Sequence, residues 1–473
     1  MYRSKRLLIL LAILAAACAA AFIALGWEQR QEQIKTSGEV VLEIPGDSVQ
    51  SLAWTSGEET LSFHRDGTWV YDGDEAFPVD DQAMEALLEP FAAFSAAFVI
   101  EGVEDYGQYG LDDPVCAITI GTEAQTYEIL LGDYSAMDDQ RYVSFGDGNV
   151  YLAVSDPMDQ YDAALRDCIR NDEIPNLDRV TRLQFSGAEQ YTITYEENSD
   201  ATYCPEDVYF TQSGSGTLPL DTGRVEGYLS DLQDLGLDDY VTYNATEEEL
   251  TRYGLDEPEL TVTADYTAED GAETSGTFVL QLSRDPEERA QAEAASGETD
   301  DAGEETVTAY VRVGDSPIVY RITAQEYEAL TAAARDDLRH REVLTADFDD
   351  VEQIDIVLEG ETRVLTAQGS GEDRSWTYLG QEVEIDGLQS AVEALYAEQF
   401  TDEEPAQQLE IAFTVHLDNE SFPQVEVKLY RYDGEFCLAE VDGVPICLVE
   451  RAAVVELVEE VQGIVLQDYT EAG

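Results

Sequence analysis

Positive charge is scarce in this 473-residue chain. Its 25 Lys and Arg stand against 101 Asp and Glu, a formal net charge of −76 at pH 7. Arg3, Lys5 and Arg6 lie at the extreme N-terminus, so the part after Trp27 carries 22 − 101 = −79 and two lysines, Lys35 and Lys428. Nucleic-acid recognition needs clustered Lys and Arg against phosphate, and this chain has the opposite sign. Anionic lipid headgroups are disfavoured for the same reason. Acid spread along a whole chain reads first as a solvated, self-repelling surface rather than as one site.

Histidine and cysteine are also sparse. The three histidines, His64, His340 and His416, have no partner at i+4, which excludes an H-E-x-x-H zinc site. His64 and His416 fall in strand-like segments. His340 lies among Arg335, Arg339 and Arg341, the one local basic cluster, and reads as a helix C-terminal cap or a small docking patch. Beyond Cys18, the cysteines are Cys116, Cys168, Cys204, Cys437 and Cys447, with no C-x-x-C pair. Small core residues are the first reading for all five. Cys437 and Cys447 flank a turn at Asp442-Gly443, where a disulfide is the alternative. No G-x-S-x-G elbow, Walker loop or complete EF-hand loop occurs, and Gly214-Ser215-Gly216 reads as a plain loop. Asp72, Asp74 and Glu75, and separately Asp138 and Asp139, cluster in turns; such clusters arise by chance in a chain with 101 acids, and weak calcium binding is the alternative reading. No catalytic residue, cofactor-binding residue or metal ligand is nominated.

What is present begins at the N-terminus. An uncharged run from Leu7 to Trp27 spans 21 residues, against the roughly 20 a spanning helix needs. Arg3, Lys5 and Arg6 precede it and no charge falls inside it, which places the N-terminus in the cytoplasm and the rest outside. Lipidation at Cys18 and cleavage after Ala15-Ala16-Ala17 are the alternatives; each also exports the bulk of the chain.

The exported part repeats one plan three times, too long for a solenoid repeat. The boundaries read as an anchor with its cytoplasmic tip at 1–27, a linker at 28–48, and units at 49–170, 180–340 and 351–467. Alternating strands lead to a helix start (Pro78-Val79-Asp80, Pro219-Leu220-Asp221, Val383-Glu384-Ile385-Asp386). An apolar stripe follows at helical spacing: Met84, Leu87, Leu88, Phe91 and Phe94; Val225, Tyr228, Leu229, Leu232 and Leu235; Leu388, Val392, Leu395 and Tyr396. Further strands and a closing helix complete each unit. Thr323-Ala324-Gln325-Glu326 reads as a capping box. Residues 284–305, rich in Glu, Ala, Gly and Asp, read as a disordered insertion. The fold class expected is α+β: tandem antiparallel sheets packed with helices after one transmembrane helix.

One motif is shared. Tyr109-Gly110-Leu111-Asp112-Asp113-Pro114 returns as Tyr253-Gly254-Leu255-Asp256-Glu257-Pro258. A helical turn ends at a left-handed Gly, the Leu folds back, and the Pro prevents helix from resuming, so the motif reads as a structural stop. With Leu131-Gly132-Asp133 and Val150-Tyr151, it resembles the bacterial family named domain of unknown function 4340. The second unit has Leu282-Ser283-Arg284 in the middle position, and the third lacks the Tyr-Gly-Leu turn. The resemblance implies no assigned activity and no catalytic residue. It does imply an accessory role beside an envelope ABC transporter. The functional expectation is a non-catalytic, single-pass plasma-membrane protein, bulk outside the cytoplasm, acting through protein contacts. A module binding an extracellular cation or glycan, and a carboxylate-dependent hydrolase, are the alternatives.

Overall fold

Runs of alternating apolar and polar residues build three antiparallel sheets, each of nine strands. The structure is a computed structural model and describes residues 38–137, 139–213, 216–267, 275–295, 307–369 and 374–471. The anchor at 7–27, Cys18 and Asp138 lie outside these residues. Among the described residues no helix is long and apolar enough to cross a membrane. The chain divides into two compact bodies, Met1–Asp172 and Glu173–Gly473.

In the first body, β1 (Glu39–Leu42), β2 (Val49–Ser56), β3 (Glu59–Asp66) and β4 (Thr68–Tyr71) precede helix α1 (Asp81–Ala92). Then come β5 (Phe94–Ile100), β6 (Cys116–Thr122), β7 (Thr126–Ser135), β8 (Gln140–Ser144), β9 (Val150–Ala153) and the short α2 (Met158–Tyr161). Leu52 pairs across strands with Phe63 and Ile120, and Trp54 with Leu61 and Ile118, so one face of the sheet is continuously apolar. Met84, Leu87, Leu88 and Phe91 of α1 are buried too. Tyr161 joins the layers: its ring meets Trp54 and Phe91, each at 5.8 Å, and its hydroxyl donates to the Leu87 carbonyl at 2.7 Å.

Two sequence readings change here. The segment taken as linker contains β1, which pairs antiparallel with β5. Phe94, counted in the helical stripe, begins β5 because α1 has already ended at Ala92. The reason is local: a buried aromatic two residues past a helix end satisfies a strand's inward position equally well.

In the second body, β10 (Val180–Gly187), β11 (Tyr191–Tyr195), β12 (Tyr209–Ser213) and β13 (Gly216–Pro219) lead to α3 (Thr222–Gln233). β14 (Tyr240–Thr242), α4 (Glu247–Arg252), β15 (Leu260–Thr267), β16 (Ser275–Arg284) and α5 (Pro286–Ala295) follow. β17 (Ala309–Val313), β18 (Val319–Ile322) and α6 (Ala324–Thr331) close this sheet's segment. The third sheet opens with β19 (Val351–Leu358), β20 (Glu361–Gln368), β21 (Ser375–Tyr378) and β22 (Gln381–Val383), then α7 (Asp386–Glu393). It ends with β23 (Gln399–Phe400), β24 (Leu409–Leu417), β25 (Gln424–Arg431), β26 (Phe436–Val441), β27 (Val444–Glu450) and α8 (Arg451–Glu471).

The repeat is topological. Eight strands keep one spatial order: β4-β3-β2-β6-β7-β8-β9-β5, then β12-β11-β10-β15-β16-β17-β18-β14, then β21-β20-β19-β24-β25-β26-β27-β23. The ninth is an edge strand in each, β1, β13 or β22. The third sheet has this order without the Tyr-Gly-Leu turn.

The helix starts differ in chemistry. Asp80 caps α1 by accepting from Gln82 N, and Asp221 caps α3 by accepting from Arg224 N. At the third, Ile385 stands at the cap and supplies no side-chain bond; Asp386 lies inside the helix. Leu235, Leu395 and Tyr396 lie past the ends of α3 and α7, so those stripes are shorter than their spacing predicts.

The insertion read as structureless is helical over Pro286–Ala295. Asp285 accepts from Glu287 N and Glu288 N, which satisfies orphan donors at the helix start. The Glu288 carboxylate then accepts from Thr308 N and Oγ1.

Thr323 and Glu326 form a reciprocal capping box at α6, and Glu326 also accepts from Gly236 N at 3.2 Å. Burial acts against the Glu326 carboxylate, but the Thr323 and Gly236 donors outweigh it and hold its pKa below the ordinary value. A depressed carboxyl adds stability above its unfolded pKa, about 4.3, and loses it as pH falls through the lower folded value. Glu326→Gln is therefore expected to destabilise the second body at pH 7 and to make little difference at pH 2. Thr323→Ala is expected to cost about 1 kcal/mol. Urea melts at the two pH values check both.

Candidate functional site

The shared turn sets how strands meet. In the second unit Gly254 has φ 72°. Its N–H donates to Thr251 O at 3.2 Å, and Leu255 N donates to Leu250 O at 2.8 Å. This is the paired-bond pattern of a Schellman stop. Leu255 is buried with Tyr310 and Val319, against Leu250 and Tyr253. In the first unit Gly110 has φ 66° and Leu111 is buried. There the turn is short, a 3-10 segment at Gly107–Tyr109.

The other hallmark residues are the receptor for this turn. A Cβ at Gly132 would lie 2.3 Å from the Tyr109 carbonyl oxygen and 2.9 Å from Leu111 Cγ. Arg141 locks the same place, donating to Gly132 O at 2.8 Å and to Asp156 Oδ1 at 2.6 Å. Ser283 stands where Gly132 does: a Cβ at Gly254 would sit 2.9 Å from its Oγ. The motif tyrosines also match. Tyr109 meets Tyr142 at 4.9 Å and Tyr253 meets Tyr310 at 4.7 Å, each partner being on the strand after the one that carries Gly132 or Ser283; Leu131-Gly132-Asp133 is thus part of β7 and not a turn.

The second place where separated residues converge is the segment joining α6 to β19. Leu338 O accepts from Asp221 N at 3.0 Å on the second-sheet side. On the third-sheet side Val343 N donates to Leu395 O at 3.0 Å, and Arg341 O accepts from Ala397 N at 2.7 Å. Tyr203 packs on the third core, its ring 5.6 Å from Phe422. These contacts join the second and third sheets into the body Glu173–Gly473.

His340 sits in this joint. Its Nε2 lies 2.8 Å from Asp207 Oδ1, and Asp207 is buried. Thr202 Oγ1 donates to the other Asp207 oxygen at 2.6 Å. His340 Nδ1 is 4.0 Å from Glu342 Oε2. Burial opposes the imidazolium, but the Asp207 bond and charge, with Asp221 and Glu342, outweigh it and raise the His340 pKa. The reading of His340 as a helix cap does not hold, since α6 ends at Thr331. Its pairing with Asp207, 133 residues away, leaves no signal in local spacing.

Beside this pair runs a groove of about 710 Å³. One wall carries Thr217, Leu218 and Pro219 of β13, an outer strand of the second sheet. The other carries Phe400 of β23, an outer strand of the third, with Thr401 and Asp402. Arg339 lies between, its guanidinium 4.1 Å over the Phe400 ring and 3.2 Å from Asp336 Oδ1. The basic cluster is thus partly spent on internal contacts.

The remaining nominated groups have local partners. His64 Nδ1 is 2.6 Å from Asp72 Oδ1, and His416 Nε2 is 3.0 Å from Asp355 Oδ2. Asp74 accepts from Ala76 N, and Asp139 from the Tyr134 hydroxyl. Cys437 pairs across the hairpin with Val449 and Cys447 with Ala439, so the two thiols are offset; all five described cysteines are free. Burial pushes Cys437 up to about 11 and Cys447 up to about 12, which suppresses the reactive thiolate.

Fold and turn define a tandem α+β repeat protein, with a Gly-stopped turn in the first and second of its units. The family model described as "Domain of unknown function (DUF4340)" matches residues 69–213 and 211–410. The chain belongs to that family. No curated protein and no solved structure matches it.

Proposed function

We propose that this protein is a membrane-tethered, extracytoplasmic component of the bacterial envelope that works through protein contacts, as an accessory subunit beside an ABC transporter. The observation that carries the reading is the groove between β13 and β23. Both are outer strands of their sheets, and an extended partner segment can add to such an edge by strand pairing. Tyr203, Phe400 and Phe422 in the groove lining offer aromatic surface to the side chains of an extended chain. The formal charge of −76 favours a neutral or basic partner and supports rapid encounter with it. The apolar run at 7–27, preceded by its positive charges, supports the tether and its orientation.

The test is crosslinking in native membranes followed by purification through a C-terminal tag. Transporter subunits recovered in near-equal amount would uphold the reading. Recovery of the tagged protein alone, with crosslinking shown to be efficient, would sink it.

A further inference from the structure

We infer that Asp221, His340 and Glu342 form a binding site for a divalent transition-metal cation, with Zn²⁺ the best match. One donor atom from each lies within 4.8 Å of the others, and all three residues are half-buried. Zinc ligands at about 2.0–2.2 Å from the ion stand roughly 3.4 Å apart. Closing that difference calls on the Glu342 side chain, which is 38% exposed.

Acidic neighbours are common in a chain with 101 Asp and Glu. What separates this group from the background is the histidine and what holds it. Asp207, its side chain 1% exposed, takes the Nε2 side of the ring at 2.8 Å. Thr202 holds Asp207 in turn. The Nε2 position is therefore used, and Nδ1, on the Glu342 side, is the nitrogen left for an ion. A ligating imidazole whose other nitrogen is held by a carboxylate is the usual outer-shell arrangement at zinc. One imidazole with two carboxylates suits zinc and its first-row neighbours better than calcium or magnesium, which take oxygen alone.

The surroundings favour a cation. Asp207, Asp221 and Glu342 bring three carboxylates to one imidazole. Arg224 Nε lies 3.3 Å from Asp221 Oδ2 and competes for it, but its side chain is 40% exposed and can turn to solvent. Asp221 also caps α3 through Oδ1, which fixes its backbone in place. Three ligands leave a fourth position open, to water or to a group on a partner.

The ligands tie different parts of the second body together. Asp221 begins α3 of the second unit, while His340 and Glu342 lie in the joining segment. Glu342 pairs by an isolated bridge with Tyr396 of the third unit. A bound ion would therefore pin the joint beside the groove. This inference is independent of what the groove binds.

The test uses the full chain in detergent, stripped with chelator, titrated with ZnCl₂ at pH 7 and physiological salt in a calorimeter. One equivalent is expected to bind. Asp207→Asn is expected to weaken it by ~10–100-fold, and His340→Ala to remove the one-equivalent isotherm. Should either variant fail to fold by circular dichroism, Glu342→Gln carries the test, its side chain being 38% exposed. A loss of at least tenfold is expected there. Several weak equivalents, unchanged in these variants, would mark diffuse binding to the acidic surface and overturn the site.

Discussion

Trp54→Ala is expected to lower the unfolding free energy of the first body by about 3–5 kcal/mol. Trp54 is 2% exposed and lies on its sheet's apolar face. Its ring stacks on Phe63 at 5.5 Å and meets the edge of Tyr161 at 5.8 Å. Truncation removes the indole's apolar area and leaves a cavity between sheet and helix layer. β2 is bonded on both sides, to β3 and to β6, so it cannot move in to fill that space. The measurement is urea unfolding followed by circular dichroism, since the substitution removes one of only four tryptophans. The transition of Met1–Asp172 should move to lower urea, while that of Glu173–Gly473 should not. A loss under about 1 kcal/mol would show that the core collapses around the smaller side chain.

Leu255→Ala is expected to cost the second body about 2–5 kcal/mol. The residue is 2% exposed and lies just after the left-handed Gly254. It returns the chain onto Leu250, Tyr253, Tyr310 and Val319. Loss of the Leu should therefore loosen the α4 stop as well as its core contact. Hydrogen exchange can separate the two effects. Leu255 N–H, bonded to Leu250 O, should lose protection more than amides in the centre of β15. Unchanged protection with lowered stability would assign the motif to core packing alone. The Pro258 that follows then serves only to keep the helix from resuming.

Much of the architecture was legible because it rests on period-two alternation. Leu260-Thr261-Val262-Thr263-Ala264 opens β15, Val150-Tyr151 opens β9 and Val319-Tyr320 opens β18. The helix starts at Asp80 and Asp221 were legible for a different reason: a short acceptor side chain before an apolar stripe has one common use. Short outer strands were not legible. β1, β14 and β23 have four, three and two residues, too few to show a period. α5 was missed because its polar, Ala- and Glu-rich sequence has no apolar face, and its start depends on Asp285 and the distant Thr308.

The candidate site was least legible. Asp207 and His340 belong to different segments, and neither stands in a motif. A buried aspartate surrounded in sequence by Glu206 and Val208 looks like any other acid of the chain. Only the fold shows that it faces a histidine. The groove is hidden for the same reason: its walls are outer strands of two sheets, and the order of strands in a sheet is not written in any one of them.

The central claim is that the groove between β13 and β23 receives a partner protein. The most direct measurement places a photo-crosslinking residue at Thr217 or Thr401, on opposite walls, in cells expressing the full chain. Val364, exposed and outside the groove, serves as control. The account predicts one discrete protein adduct common to both groove positions and absent from the control. No adduct from either wall, or the same adducts from all three positions, would contradict it.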